Sequence, residues 1–149
     1  MTSPTVSTCL WFDSEAEAAA RFYVSLLPEA RILQIHRRIG ADGSAGPAFI
    51  AEFELQGQRY SAMNGGPHCK LTPAVSIQIF AETQAEIDRL WRALLNGGAE
   101  SRCGWLTDRW PVVADHSQCP ATPDCGWRGP GAARFASDVG NDQAGHRRT

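Results

Sequence analysis

One pattern occurs twice in this chain at a constant offset, and it limits the fold more than any other feature. Ser14-Glu-Ala-Glu17 opens an amphipathic stretch with Ala19, Phe22, Tyr23, Leu26 and Leu27 on one side, closed by Pro28. Thr83-Gln-Ala-Glu86 opens a second, with Ile87, Leu90, Trp91, Leu94 and Leu95 at helical spacing, closed by Asn96-Gly97-Gly98. A Ser or Thr followed three residues later by Glu is a capping box, in which hydroxyl and carboxylate satisfy backbone N–H groups that a helix start leaves free. Both segments therefore read as helices, 14–27 and 84–95. Ser14 aligns with Thr83, Glu17 with Glu86, Phe22 with Trp91 and Leu26 with Leu95, and each helix follows a strand-like run, 7–12 and 74–81. A duplicated strand–helix unit is expected.

After the first helix, 31–39, 49–55 and 59–63 have strand character, the last two joined by a turn at Gln56-Gly57-Gln58. The first unit reads βαβββ, and the second repeats it as far as a strand or two within 100–110. The class is α+β with paired βαβββ modules, the second incomplete at its C-terminal strand. A sheet with a helix on one face sends alternate residues to it and the rest away. Leu10 and Phe12, and Val75, Ile77 and Ile79, are expected on the helix side. That turns Ser7, Cys9 and Trp11, and Ser76, Gln78 and Phe80, to the open face, where a cleft between the half-sheets would collect them.

The chain has 149 residues and a formal net charge of −2. Without Lys/Arg runs it carries no electrostatic footprint for nucleic acid, and no apolar stretch reaches the roughly 20 residues of a membrane span. The first residues lack the basic and apolar regions of a signal peptide, so a cytoplasmic location and free thiols are expected. Every Leu and Ile lies within 1–110, whereas 111–149 carries Pro111, Pro120, Pro123 and Pro130. The folding unit is 1–110, and 111–149 is a separate, poorly ordered tail.

The chemistry-bearing residues are few. Gly40-Ala-Asp-Gly43-Ser-Ala-Gly46 runs into Pro47 and a strand rather than a helix, so it reads as a hairpin connection and no nucleotide cofactor is expected. His68 could serve as a general acid or base, and the thiol of Cys103, beside Gly104 and Trp105, as a nucleophile; the plainer readings are a surface histidine and a buried thiol. Asn64 could offer its amide to a ligand or simply shape the turn into Gly65-Gly66. Trp11 and Trp105 suit the wall of a cavity, and Gln78 its polar lining. Asp108 reads as a solvated charge beside Arg102 or Arg109. Cys119 and Cys125 lack a second pair of zinc-like spacing, with His116 and His146 too scattered to supply one.

Paired βαβββ units at this length resemble the vicinal-oxygen-chelate superfamily of glyoxalase I, extradiol dioxygenases and bleomycin-resistance proteins. Leu10-Trp11-Phe12-Asp13, Ala20-Arg-Phe-Tyr23, Asn64-Gly-Gly-Pro-His68 and Cys103-Gly-Trp-Leu-Thr-Asp108 resemble its PhnB-like family, often labelled 3-demethylubiquinone-9 3-methyltransferase, over about residues 5–110. The resemblance implies an eight-stranded architecture, a homodimer and a small-molecule cleft. In the superfamily, His and Glu on the first, fourth, fifth and last strands hold a divalent ion. The matching positions here are Ser7 or Cys9, Met63 or Asn64, and Ser76 or Gln78, none of them His or carboxylate, so no metal is expected. The resulting expectation is a small-molecule-binding protein whose reaction is open. The alternatives are a metal-dependent isomerase or dioxygenase, and a non-functional product of a shifted reading frame.

The last alternative comes from the tail. The family continues after Asp108 with a strand of the type Gly-Leu-Ser-Trp-Gln-Ile-Val-Pro, where this chain has Trp110-Pro-Val-Val-Ala-Asp-His-Ser-Gln-Cys119. Reading its codons from the second base permits Gly-Leu-Ser-Trp-Gln-Ile-Ile-Pro-Ser. A frameshift ahead of 111–149 is expected, with the final strand's slot empty or held by a weak substitute such as 112–114.

Overall fold

The computed structural model describes residues 4–101 and 105–115, the last three by their backbone alone. The chain divides into two units, Met1–Thr72 and Pro73–Thr149. No helix among the described residues is long and apolar enough to cross a membrane.

The first unit runs β1 (Thr8–Phe12), α1 (Ala16–Leu26), β2 (Arg31–Ile39), β3 (Ala45–Leu55), β4 (Gln58–Asn64). Its sheet has the order β1-β4-β3-β2, with β1 parallel to β4 and the remaining pairs antiparallel. The glycine-rich segment is the β2–β3 turn. Gly43, at φ 80°, donates to the Gly40 carbonyl at 2.9 Å, and Asp42 Oδ1 accepts from the Ser44 amide at 3.0 Å. It joins two antiparallel strands and opens no helix.

α1 packs on β3, β4 and β2. Its buried stripe is Ala16, Ala19, Ala20, Tyr23 and Leu26, with Phe22 and Leu27 half-exposed at the margin rather than central as expected. Alanines at the contact let the helix lie close to the sheet, and the aromatic residues fill the space beyond them. Tyr23 stacks on Phe53 at 6.1 Å between ring centroids, and Phe53 on Tyr60 at 5.3 Å. Each such ring buries about 150–250 Å², so this stack dominates the core of the unit.

The capping box at Ser14 does not form. Glu15 holds the N-cap position without a side-chain bond, and Glu17 instead accepts from Arg21 and from both its contacts with Arg37 at 2.8 Å. The Arg21 hydrogen bond, joined by Arg37, holds the Glu17 carboxyl below its usual range. The second helix keeps its predicted cap, with Thr83 Oγ1 accepting from the Glu86 amide at 3.3 Å.

The second unit runs β5 (Ser76–Gln78), α2 (Gln84–Leu95), β6 (Ala99–Glu100), β7 (Trp105–Thr107), β8 (Val113–Asp115). The order β5-β8-β7-β6, with β5 parallel to β8, repeats that of the first sheet, so both units are βαβββ modules. Ile87, Leu90 and Leu94 of α2 are buried, as are Ile77, Leu106 and Val112. The strand expected over 74–81 is confined to Ser76–Gln78, the three residues that pair with the described Val113–Asp115 of β8. Outside that ladder Val75 is 56% exposed instead of facing the helix. The final slot is held at 113–115, one residue beyond the substitute expected; 116–149 lies outside the described residues.

Asp108 also departs from expectation. It is only 4% exposed, and its Oδ1 accepts from the amides of Trp110 at 2.8 Å and Val112 at 3.0 Å. A short carboxylate that can turn back on its own backbone is worth more here than in water, because it closes the turn that feeds β8.

Candidate functional site: the open face of the first sheet

Strand alternation builds this site. Leu10, Phe12, Ala51, Phe53, Tyr60 and Ala62 are buried on the α1 side. Their neighbours along each strand point the other way, and the pairing register arranges them in rows. Trp11, Met63, Ile50 and His36 form one row across all four strands. Cys9, Ser61, Glu52 and Gln34 form the next, and Arg59, Glu54 and Arg31 a third.

Trp11 is fixed in two ways. Its indole Nε1 donates to the Gly66 carbonyl at 2.8 Å, and Gly65 lies against its ring so closely that a Cβ there would overlap it. The loop after β4 is drawn over the indole by its own bonds: Gly65 donates to the Phe12 carbonyl at 2.9 Å and Gly66, at φ 83°, to that of Asp13 at 3.2 Å. Both glycines are thus required, one for close approach and one for its backbone conformation.

The polar groups of the face are unevenly used. Glu54 is bracketed by Arg31 at 2.9 Å and Arg59 at 3.9 Å. Glu52 Oε1 lies 3.4 Å from His36 Nε2, whose ring leans on Phe49. The side chains of Cys9, Ser61 and Gln34 make no hydrogen bond among the described residues. A polar row in which only Glu52 has a side-chain partner thus lies directly beside a row that is apolar but for His36.

The other sequence-expected residues fall in different places. Asn64, at the end of β4, has both ends of its amide engaged: Oδ1 accepts from the Ala16 amide at 2.8 Å and Nδ2 donates to the Ala48 carbonyl at 2.9 Å. His68 is exposed in the following loop and has no side-chain partner among the described residues. Gln78 and Trp105 share a register row of the second sheet, through Asp115 of β8, on the face away from buried Ile77 and Leu106. Cys103 lies outside the described residues. Ile50, Glu52 and Ser61 are site residues that the alternation of β3 and β4 places, whereas His36 lies on β2, whose bulges interrupt the alternation. A solvent-open depression of about 430 Å³ between Val6 and Arg59 lies at the opposite end of β1 and β4 from Trp11.

A family model described as 3-demethylubiquinone-9 3-methyltransferase matches residues 4–114. The chain belongs to this family. Among solved structures, the PhnB protein of Bacillus cereus is 29% identical, with a TM-score of 0.65 over 74% of this chain and 96% of that one. Protein PA1353 of Pseudomonas aeruginosa is 19% identical, with a TM-score of 0.56 over 75% of this chain and 95% of that one. A mutant of the fosfomycin resistance protein FosX of Listeria monocytogenes, described as complexed with Mn(II) and 1S,2S-dihydroxypropylphosphonic acid, is 14% identical, with a TM-score of 0.52 over 80% and 96%. The likeness to FosX establishes the vicinal-oxygen-chelate fold. No protein of curated function matches.

That fold raises the question of a divalent ion, and the described side chains do not fit one. No group of three or more His, Cys, Asp or Glu among the described residues could hold a metal. At the positions the resemblance points to on the first, fourth and fifth strands stand Ser7 or Cys9, Met63 or Asn64, the latter with its oxygen committed to Ala16, and Ser76 or Gln78. Hard divalent ions favour carboxylate and imidazole. The connection between β1 and α1, Asp13–Glu15, contains no glycine with which to cradle a cofactor phosphate or carboxylate.

Proposed function

We propose that this PhnB-like chain binds a small molecule against the open face of its first sheet, with Trp11 as the wall of the site. The observation that carries the reading is the immobilised indole. A large aromatic held by a hydrogen bond at one edge and by glycine backbone on one face presents its remaining surface at little entropic cost. Half-exposed Met63 and Ile50 extend that surface, and the polar row beside it supplies orientation. Asn64 acts as a positioning residue: by tying β4 to the start of α1 it sets the course of the loop that pins Trp11. In the second module the row that joins Gln78 to Trp105 offers a comparable lining.

The test is a ligand-observed NMR screen of a fragment library against wild type and Trp11→Ala. Hits should be lost in the variant. Hits that persist unchanged would move the site elsewhere.

A further inference from the structure

The rows of the open face differ in chemistry, and their order defines a kind of ligand. We infer that the molecule bound there is amphiphilic, with a flat apolar body across Trp11, Met63 and Ile50 and a cationic or N–H-bearing group at Glu52. The inference rests on the open-face reading and deepens it.

Neighbouring strands are about 4.8 Å apart and residues i and i+2 of a strand about 6.7 Å. The body, from Trp11 on β1 to Ile50 on β3, therefore spans roughly 10 Å, the length of a fused bicyclic ring. Its polar group meets Glu52 one step along the strands, at roughly 7 Å. Glu52 has no ion-pair partner among the described residues other than His36, at 3.4 Å. Its side chain is 45% exposed, so the carboxylate is open to a ligand. Glu54, the other acid on this face, is already bracketed by Arg31 and Arg59. Those two guanidinium groups lie one row further from Trp11, where a carboxylate-bearing ligand would place its charge instead. Ser61 and Gln34 flank Glu52, and Cys9 lies beyond Ser61, with unused donors and acceptors for the rest of a polar head.

The experiment uses three probes with one body: 2-(aminomethyl)naphthalene, 2-(hydroxymethyl)naphthalene and 2-naphthoate, titrated calorimetrically at pH 8. The amine should bind roughly tenfold tighter than the carboxylate, the effect of one charge-assisted hydrogen bond. Glu52→Gln, an isosteric change on a part-exposed side chain, should erase that preference. Equal binding of amine and carboxylate to wild type, tighter binding of the carboxylate, or a preference that survives Glu52→Gln overturns the inference while leaving the site in place. Binding that is absent for all three probes, or unaffected by Trp11→Ala, removes the site itself and the inference with it.

Discussion

Asn64 Oδ1 lies 2.8 Å from the Ala16 amide nitrogen, so the last residue of β4 supplies the cap that starts α1. The same amide donates to Ala48 of β3, which makes one side chain the junction of helix, strand and turn. Asn64→Ala should lower stability by about 1–3 kcal/mol, for a lost cap and a carbonyl left without its donor. Ser14→Ala, which removes only a cap that is not made, should cost under about 0.5 kcal/mol. Urea denaturation of the two variants checks the contrast, and a larger loss for Ser14→Ala would restore the capping box.

Gly65→Ala drives a methyl group into the Trp11 ring. Displacing a packed indole costs about 1–3 kcal/mol. Trp11→Ala opens the space that this methyl needs, so the double variant should lose less than the sum of the two single losses. A double-mutant cycle by denaturation measures that coupling, and strict additivity would show that the ring and the glycine do not constrain each other.

Tyr60 gives the first module an alkaline limit. Burial pushes its phenol above the ordinary value of 10.0. Because the folded-state value is raised, the stability of the neutral phenol is fully present below pH 10 and is lost as pH rises toward and through the folded value. Tyr60→Phe keeps the stack on Phe53 and removes the titration. Wild type should lose stability above pH 10 faster than the variant, and the two should match near pH 7. Parallel denaturation curves at every pH would refute it.

Both modules were legible because α-helical stripes and β-alternation leave their periods in the residues, as at Ile87, Leu90 and Leu94 or Leu10 and Phe12. Trp11 could be placed on the open face by counting in twos along β1. Its partners could not, since the register that brings Met63, Ile50 and His36 beside it joins residues far apart in the chain. The backbone partners of Asn64 and Asp108 were hidden for a related reason. A side chain that satisfies distant or turned-back backbone looks, in sequence, like a ligand contact or a solvated charge.

Asp108 is predicted to hold the end of the second module in place. Asp108→Ala leaves the Trp110 and Val112 amides without their acceptor and should cost about 1–3 kcal/mol. Asp108→Asn retains an oxygen at that position and should lose less. Denaturation midpoints of the three proteins decide the order, and indifference to both changes would return Asp108 to the role of a surface charge.

The last prediction concerns the strand that Asp108 feeds. β4 pairs with β1 at five positions, whereas β8 pairs with β5 at three among the described residues. β5 is correspondingly short, and Val75 and Phe80 beside it are 56% and 60% exposed, large apolar groups without cover. Shifting the frame at Trp110 permits Leu-Ser-Trp-Gln-Ile-Ile in place of Pro111-Val-Val-Ala-Asp-His116, a run that alternates and carries the apolar residues a buried final strand needs. Each large side chain so buried contributes about 1.5–3 kcal/mol. The frame-restored protein should therefore melt several degrees higher than this chain in side-by-side thermal scans, and an Asp108→Ala change should cost it at least as much, because a longer strand depends on the same turn. Equal melting temperatures would mean that Val113–Asp115 serves the sheet as well as the family's own strand, and that the match between the two frames is coincidence.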